Sequence, residues 1–309
     1  VVQVRGSHGE VQVQGDDEAG MAWSGPLAVL VNRGTASASE IFSAAIQDYH
    51  RGLVIGEPTF GKGTVQTLVD LDKFASGDSE KPQLGELKMT IQEFFRINGG
   101  STQLKGVTPD IEFPKNGDEK DFGESTYDNA LPWTQIPPAD YKPVANLSAY
   151  LPQLLQRHDE RAAKSSAWKL MLDELAQYKK MRDMTTISLN LAVREAERKQ
   201  QEQMQADFRA RHVAIDGSDA ALPEAGSTLD DGLNPNERSI KSELKEEKDA
   251  KNAKDPQLDE TAHILFDAIG MIKADPKLAS EVLPYGGKFS PRAIASVAEP
   301  APATSSVTR

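Results

Sequence analysis

Cysteine is absent from all 309 residues, so disulfides, thiol nucleophiles and zinc sites built on thiolates are excluded. Its absence suits either side of a bacterial inner membrane and fixes no compartment. Long apolar runs are missing as well. No stretch approaches the ~18 apolar residues of a membrane span, and no signal-peptide pattern is visible. Positive charge is scarce: 35 Lys and Arg against 47 Asp and Glu leave a formal net charge of −12. That balance argues against a nucleic-acid binder, which needs a basic face to neutralise phosphates. Apolar residues reach only 38%, below the usual ~45–50% that counts Gly. One good core is expected, but not one running the whole length. His8, His50, His158, His212 and His263 show no metal-ligand spacing. No metal and no other cofactor is expected. The chain opens Val1-Val2-Gln3-Val4 without Met, so a start inside a longer protein is expected.

What is present divides the chain in two. Residues 1–5 and 10–14 alternate apolar and polar around Ser7-His8-Gly9, as a hairpin does. Leu27-Ala28-Val29-Leu30-Val31 is an unbroken apolar run and predicts a central strand buried on both faces. Ile41, Phe42, Ala45, Ile46 and Tyr49 then recur at helical spacing, and Gly52 is expected to cap that helix. Leu53-Val54-Ile55 predicts a second buried strand. The unit is strand–helix–strand, the building block of a parallel sheet. Residues 65–69 and 86–96 predict further strands, residues 72–85 an exposed loop, and Asn98-Gly99-Gly100 a turn.

Residues 114–146, with Pro137-Pro138 and Pro143, read as a connector on the surface. Helical texture follows. Trp168, Met171, Leu172, Leu175 and Tyr178 form one apolar stripe, and Leu258, Ala262, Leu265, Ile269 and Ile272 another. Residues 189–213 predict a long charged helix. Residues 216–256 read as a mobile loop, with the charge run at 241–254 as a solvated face. Residues 286–309 read as a disordered tail. The domains expected are 1–135, 136–285 and that tail.

Two places can carry chemistry. Thr35-Ala36-Ser37-Ala38-Ser39-Glu40 lies between a buried strand and a helix. A serine at a helix N-terminus sits beside unpaired N–H groups and the positive end of the dipole. There the Ala38 N–H can stabilise an oxyanion. Ser37-x-x-Glu40 is equally a capping box, and on pattern alone both readings stand. The second place is Gly56-Glu57-Pro58-Thr59-Phe60-Gly61-Lys62-Gly63-Thr64. It nearly matches a phosphate-binding loop, but Gly63 replaces the metal-binding hydroxyl and a strand follows instead of a helix.

Ser37 and Lys62 each follow a strand of the same unit, so they are expected at one edge of the sheet. A lysine there can serve a serine as general base. For that its pKa must fall from about 10.4 toward about 7–8 through desolvation. Lys62, Thr64 and Gln66 are two apart, so an extended segment points all three the same way, and Gln66 can orient the amine. His50, at the expected helix end, lacks the third group that a serine–histidine arrangement needs.

These motifs resemble the carboxyl-terminal processing (tail-specific) serine peptidases. The resemblance extends through Gly99-Gly100-Ser101-Thr102, Gly106-Val107-Thr108-Pro109-Asp110 and Asp128-Asn129-Ala130-Leu131-Pro132-Trp133, and it is strongest to the long periplasmic branch. It implies an α/β fold, with a crotonase-like peptidase core followed by a mostly α-helical C-terminal domain. It implies Ser37 as nucleophile, Lys62 as base, Gln66 as the residue positioning that base, Ala38 N–H as half of the oxyanion hole and Asp48 as structural support.

The resemblance further implies protein substrates with apolar C-terminal tails, an adaptor protein on the helical domain and a periplasmic or cell-envelope location in a Gram-negative bacterium. The upstream PDZ domain and the Gly-rich strand end that completes the oxyanion hole in the family are missing here. Losing one oxyanion donor costs ~10²–10³ in rate, so this stretch alone is expected to be inactive. Two alternatives remain at this point: a non-catalytic scaffold or adaptor-docking fragment, and a nucleotide binder through the near phosphate loop.

Overall fold

The computed structural model describes residues 1–15, 23–74, 83–115, 122–216 and 255–283. The alternating start forms the expected hairpin. β1 (Val2–Gly6) and β2 (Val11–Gln14) pair antiparallel, with Val2 opposite Gln14. The next unit is β3 (Ala28–Val31), α1 (Ala38–Asp48) and β4 (Leu53–Gly56), and β3 and β4 pair parallel. β5 (Thr64–Asp70) and β6 (Glu86–Arg96) form an antiparallel ribbon, and β7 (Ile111–Glu112) closes the β region. Two sheets result: an antiparallel one in the order β2-β1-β6-β5, and a parallel one in the order β3-β4-β7.

The parallel sheet is covered on both faces, and the period-2 alternation of its strands decides which residue goes where. Val29, Val31 and Val54 meet Ala44 and Ile46 of α1 on one face. Ala28, Leu30, Leu53, Ile55, Ile111 and Phe113 meet the helical region on the other. The central, fully buried strand is β4. β3, expected in that place, is an edge strand among the described residues and only Val31 of it is fully buried. An apolar run reports that both faces are covered; it does not report pairing on both edges.

α1 departs from its apolar stripe. Its buried residues are Glu40, Ser43, Ala44 and Asp48, while Phe42 is exposed. Nor is Gly52 its cap. The helix ends at Tyr49, and His50 takes the left-handed conformation at φ 52°. Gly52 instead lies under β3, where a Cβ would come within 2.6 Å of the Leu27 carbonyl oxygen.

The helical region comprises α2 (Leu151–Ala162), α3 (Ser166–Arg182), α4 (Leu191–Asp216), α5 (Pro256–Ala274) and α6 (Pro276–Val282). Two of its helices begin alike: Asp255 and Asp275 each accept two backbone N–H bonds, and Pro follows in the first turn. Leu154, Trp168, Ile264, Ala268 and Val282 share one core cluster with Leu53, Ile55, Ile111 and Phe113. The helices are therefore a layer on the parallel sheet.

The α5 stripe is corrected by the structure. Leu258 and Ala262 are exposed, and the inward face is Glu260, Thr261, Ile264 and Ala268. Glu260 can lie inward because Arg161 and His158 of α2 hydrogen-bond it. In α3, Trp168 is buried, but Leu172 and Tyr178 of the same stripe are exposed. The long charged helix is present as α4, docked on α3 through Arg211–Asp173 and His212–Glu174. The connector runs mainly exposed, but Ile136 is buried in it. The charge run at 241–254 and the tail at 286–309 lie outside the described residues, as does most of the loop at 216–256. No helix among the described residues is long and apolar enough to cross a membrane.

Candidate active site

The β3–α1 turn holds Ser37 at φ 57° and ψ −115°. An ordinary N-cap takes extended backbone angles. A non-glycine residue in this region costs ~1–3 kcal/mol and persists only where its surroundings over-determine it. A plain cap has no use for that strain, whereas a turn that presents a nucleophile does. Ser37 is half-buried. The Ala38 N–H, first in the helix, is taken up by none of the backbone bonds among the described residues.

The β4–β5 loop holds Lys62 between two glycines whose places the packing requires. Gly61 has φ 94°, and a Cβ there would lie 2.9 Å from the Leu104 carbonyl carbon. At Gly63 a Cβ would lie 2.8 Å from the Gln103 backbone nitrogen. The loop is thereby pressed against residues 101–106, and the Gly63 N–H donates to Gln103 Oε1 at 2.8 Å.

Glu40 ties the two places together. Its side chain is fully buried. Oε2 accepts from the Ser37 N–H and from the Lys62 N–H, each at 2.9 Å. Oε1 accepts from the Thr59 hydroxyl at 2.5 Å and the Gly61 N–H at 2.7 Å. A single oxygen atom therefore sets the spacing of the Ser37 and Lys62 backbones. The sequence pattern showed one quarter of this arrangement, the capping bond to Ser37. Burial pushes the Glu40 carboxyl above the usual glutamate value, and the four hydrogen bonds offset only part of that rise.

The same bonds dispose of the phosphate-loop reading. The N–H groups of Gly61, Lys62 and Gly63 are already given to Glu40 and Gln103, and the Thr59 N–H goes to the Val107 carbonyl. None is left to cradle a phosphate, and a buried carboxylate stands where the anion would lie.

Lys62, Thr64 and Gln66 all line one cleft of about 430 Å³. Gln66 is exposed, sits at a register shift in β5, and makes no hydrogen bond to Lys62 among the described residues. Asp48 is buried on α1 and binds Arg96 Nη2 at 2.6 Å, Arg96 Nε at 3.0 Å and Asn98 Nδ2 at 2.9 Å. It fastens α1 to the end of β6. His50 Nδ1 bonds the Ala145 carbonyl at 3.1 Å and belongs to the connector contact.

The opposite side of the cleft comes from residues 124–131, which the sequence reading left in the connector. Gln103, also buried, brings them there: its Nε2 donates to the Leu131 carbonyl at 3.0 Å and to Glu124 Oε1 at 3.2 Å. Nothing local in the sequence marks Gln103, because its partners lie in three separate segments. A larger cleft, about 640 Å³, opens between α2 and α5. Its Arg157 and Arg161 are already paired with Asp267 and Glu260, and its Ser165 hydroxyl oxygen accepts from the Trp168 N–H at the start of α3.

Residues 1–113 match the model of Peptidase family S41, and residues 117–270 match the C-terminal domain of tail specific protease. The chain belongs to the tail-specific peptidases of family S41. A tail-specific protease of Haemophilus influenzae is 46% identical over 201 residues, covering 64% of this chain and 28% of that protein. A chloroplastic carboxyl-terminal-processing peptidase 2 of Arabidopsis thaliana is 43% identical over 101 residues, covering 33% of this chain and 18% of that one. Among solved structures, a photosystem II D1 C-terminal processing protease matches 36% of this chain and 26% of its own, with 36% identity and a TM-score of 0.30. This tail-specific chain thus spans little more than a quarter of its Haemophilus relative's length. The order of the two matched models fits the architecture: a mixed α/β core followed by a helical layer.

Proposed function

We propose that this chain carries the nucleophile and the base of a serine endopeptidase with a Ser–Lys mechanism. Lys62 Nζ takes the proton from Ser37 Oγ as Oγ attacks the scissile carbonyl carbon. The Ala38 N–H donates to the oxygen that becomes negative. As the tetrahedral intermediate collapses, the C–N bond breaks and the leaving amine takes the proton from Lys62. Water, deprotonated by Lys62, then hydrolyses the acyl ester and returns Ser37. A peptide lying in the cleft would cover the half-buried Lys62 from water, the condition its neutral form needs.

One observation supports this most: a single Glu40 oxygen holds the amides of Ser37 and Lys62 together. A scaffold has no need of that bond or of a strained Ser37. Gln66 is assigned as the residue that orients the lysine once substrate is bound, Asp48 as the support of α1. The substrates are proteins with apolar C-terminal tails, an assignment that rests on the family resemblance and on the names of the relatives. A cell-envelope location and an adaptor on the helical layer belong to the same proposal, with residues 1–135 as the peptidase part and 136–285 as the helical part.

The test uses the full-length protein that carries this chain. Wild type, Ser37→Ala and Lys62→Ala are incubated with a loosely folded substrate ending in apolar residues, and with a copy ending in charged ones. Wild type is expected to cut the apolar-tailed substrate preferentially. Both variants are expected to lose at least about a thousandfold in rate, since groups acting as a unit fail together. Cutting by Lys62→Ala at the wild-type rate would remove lysine as the base.

A further inference from the structure

The peptidase model ends at residue 113, yet the cleft containing Lys62 does not. Its far side is built by residues 124–131, within the region that matches the C-terminal domain of tail specific protease. This wall is anchored at both ends. Near its start, Arg33 donates to the Phe122 carbonyl at 3.0 Å and to the Thr59 carbonyl at 2.8 Å, and the Glu124 N–H donates to the Phe60 carbonyl at 3.0 Å. At its end Gln103 holds the Leu131 carbonyl. Trp133 Nε1 donates to the Ser101 carbonyl at 2.8 Å, under the Lys105 ammonium at 3.9 Å from the ring centroid. Between the anchors, Tyr127 and Leu131 present exposed side chains on a held backbone.

Glu124 and Asn129 make part of this wall polar, while Tyr127 and Leu131 give it two large apolar side chains. Tyr127 is 56% exposed and Leu131 39% exposed, and both line the cleft with Lys62 and Gln66. Phe60, two residues before Lys62, joins them, its ring 6.5 Å from that of Tyr127 and 5.4 Å from that of Phe122. Large apolar groups left in water beside a reacting lysine, on a backbone tied to neighbouring segments by three hydrogen bonds, form a preformed pocket for an apolar group.

Resting on the peptidase reading above, we propose that Phe60, Tyr127 and Leu131 form the subsite for the side chain of a residue flanking the scissile bond. The subsite takes aliphatic or aromatic side chains, and two of its three walls come from residues beyond the match to Peptidase family S41. This chain therefore selects where a protein is cut, independently of how its tail is recognised.

The full-length protein is tested on a set of unstructured peptides that share one apolar tail and differ at the residues around the cut. Cut sites are read by mass spectrometry for wild type, Tyr127→Ala, Leu131→Lys and Ser37→Ala. Tyr127 and Leu131 act through exposed side chains, so unchanged melting curves are expected. Wild type is expected to cut beside apolar residues. Leu131→Lys is expected to lose about tenfold or more in kcat/KM at those sites and to gain cuts beside Asp and Glu, while Tyr127→Ala broadens the profile. Cut-site profiles matching wild type in both variants would overturn the subsite, as would a uniform loss with unchanged preference. Cutting that survives Ser37→Ala would instead overturn the catalytic reading, and the subsite with it.

Discussion

Glu40 and Glu260 are both buried, and their surroundings treat them in opposite ways. Glu40 meets neutral donors alone: two loop N–H groups, the Ser37 N–H and a threonine hydroxyl. Burial raises its pKa and those bonds recover only part of the rise. Glu260 is also buried, and burial pushes it up as well. There the hydrogen bonds and charges of His158 and Arg161 outweigh burial, and the carboxyl falls below the usual value. Neutral donors fix where a carboxylate is; cations fix that it stays charged. The first suits a site whose spacing matters, the second a staple between two helices.

The signs of their pH dependence are opposed. A carboxyl raised in the fold contributes stability that is full below its unfolded pKa and lost as pH rises through the folded one. Ionised Glu40 is therefore a cost to the fold at neutral pH. Glu260 and Asp267, held low against their burial by the Arg161 and Arg157 guanidinium groups, contribute fully above the unfolded value. They lose that contribution as pH falls through the depressed one.

The largest break in the comparison is Glu40→Ala. It strips four donors of their acceptor, three of them the backbone N–H groups of Ser37, Gly61 and Lys62. At ~1–3 kcal/mol per unsatisfied buried group, urea unfolding should show a loss of at least about 3 kcal/mol. Proteolysis by the full-length protein should fall at least about a hundredfold, because displacement by a fraction of a bond length is enough to do that. Glu40→Gln sharpens the point. Its NH₂ must face two donors, so activity should still fall at least tenfold with less loss of stability, a split measured by pairing the melt with the rate.

Next comes Glu260→Ala. It leaves His158 without its carboxylate and Arg161 with Asp267 alone. Breaking a buried pair costs ~3–5 kcal/mol; the low end is expected in urea unfolding, because Asp267 remains. Cleavage under native conditions should stay within about threefold of wild type. In the variant the fall of stability as pH drops below the ordinary glutamate value should be shallower, and an unchanged slope would show that other carboxylates carry it. The smallest effect belongs to Arg194→Ala. Its partner Glu197 and Arg194 itself are both well exposed on α4, and the change in stability should stay within about 0.5 kcal/mol.

What could be read in advance follows the same divide. β6 spans residues 86–96 as expected, because strand alternation and bounding turns are local signals. The β3–α1–β4 unit and the placement of Ser37 and Lys62 beyond its strands follow from apolar runs and chain order. Glu40 was visible only as a cap, since its other partners lie around 20 residues away in a loop without periodicity. Glu260 was invisible: its partners are 99 and 102 residues distant. For that reason the expected α5 stripe holds at Ile272, which packs on the core, but misses at Leu258 and Ala262, which are exposed. Hydrophobic periodicity assumes that charge faces water, and Glu260 faces Arg161. Gln103, with partners at Gly63, Glu124 and Leu131, left no trace either.

The single Glu40 oxygen shared by Ser37 and Lys62 also bears on the order in which the chain is made. Ser37, Glu40 and Lys62 all belong to one short contiguous stretch, so closing that contact costs little loop entropy and can occur early. The wall at residues 124–131 emerges later from the ribosome. The helices that cover Leu53 and Ile55 from behind emerge later still, ending with Val282. A growing chain can thus bring Ser37 and Lys62 together before the far side of the cleft exists.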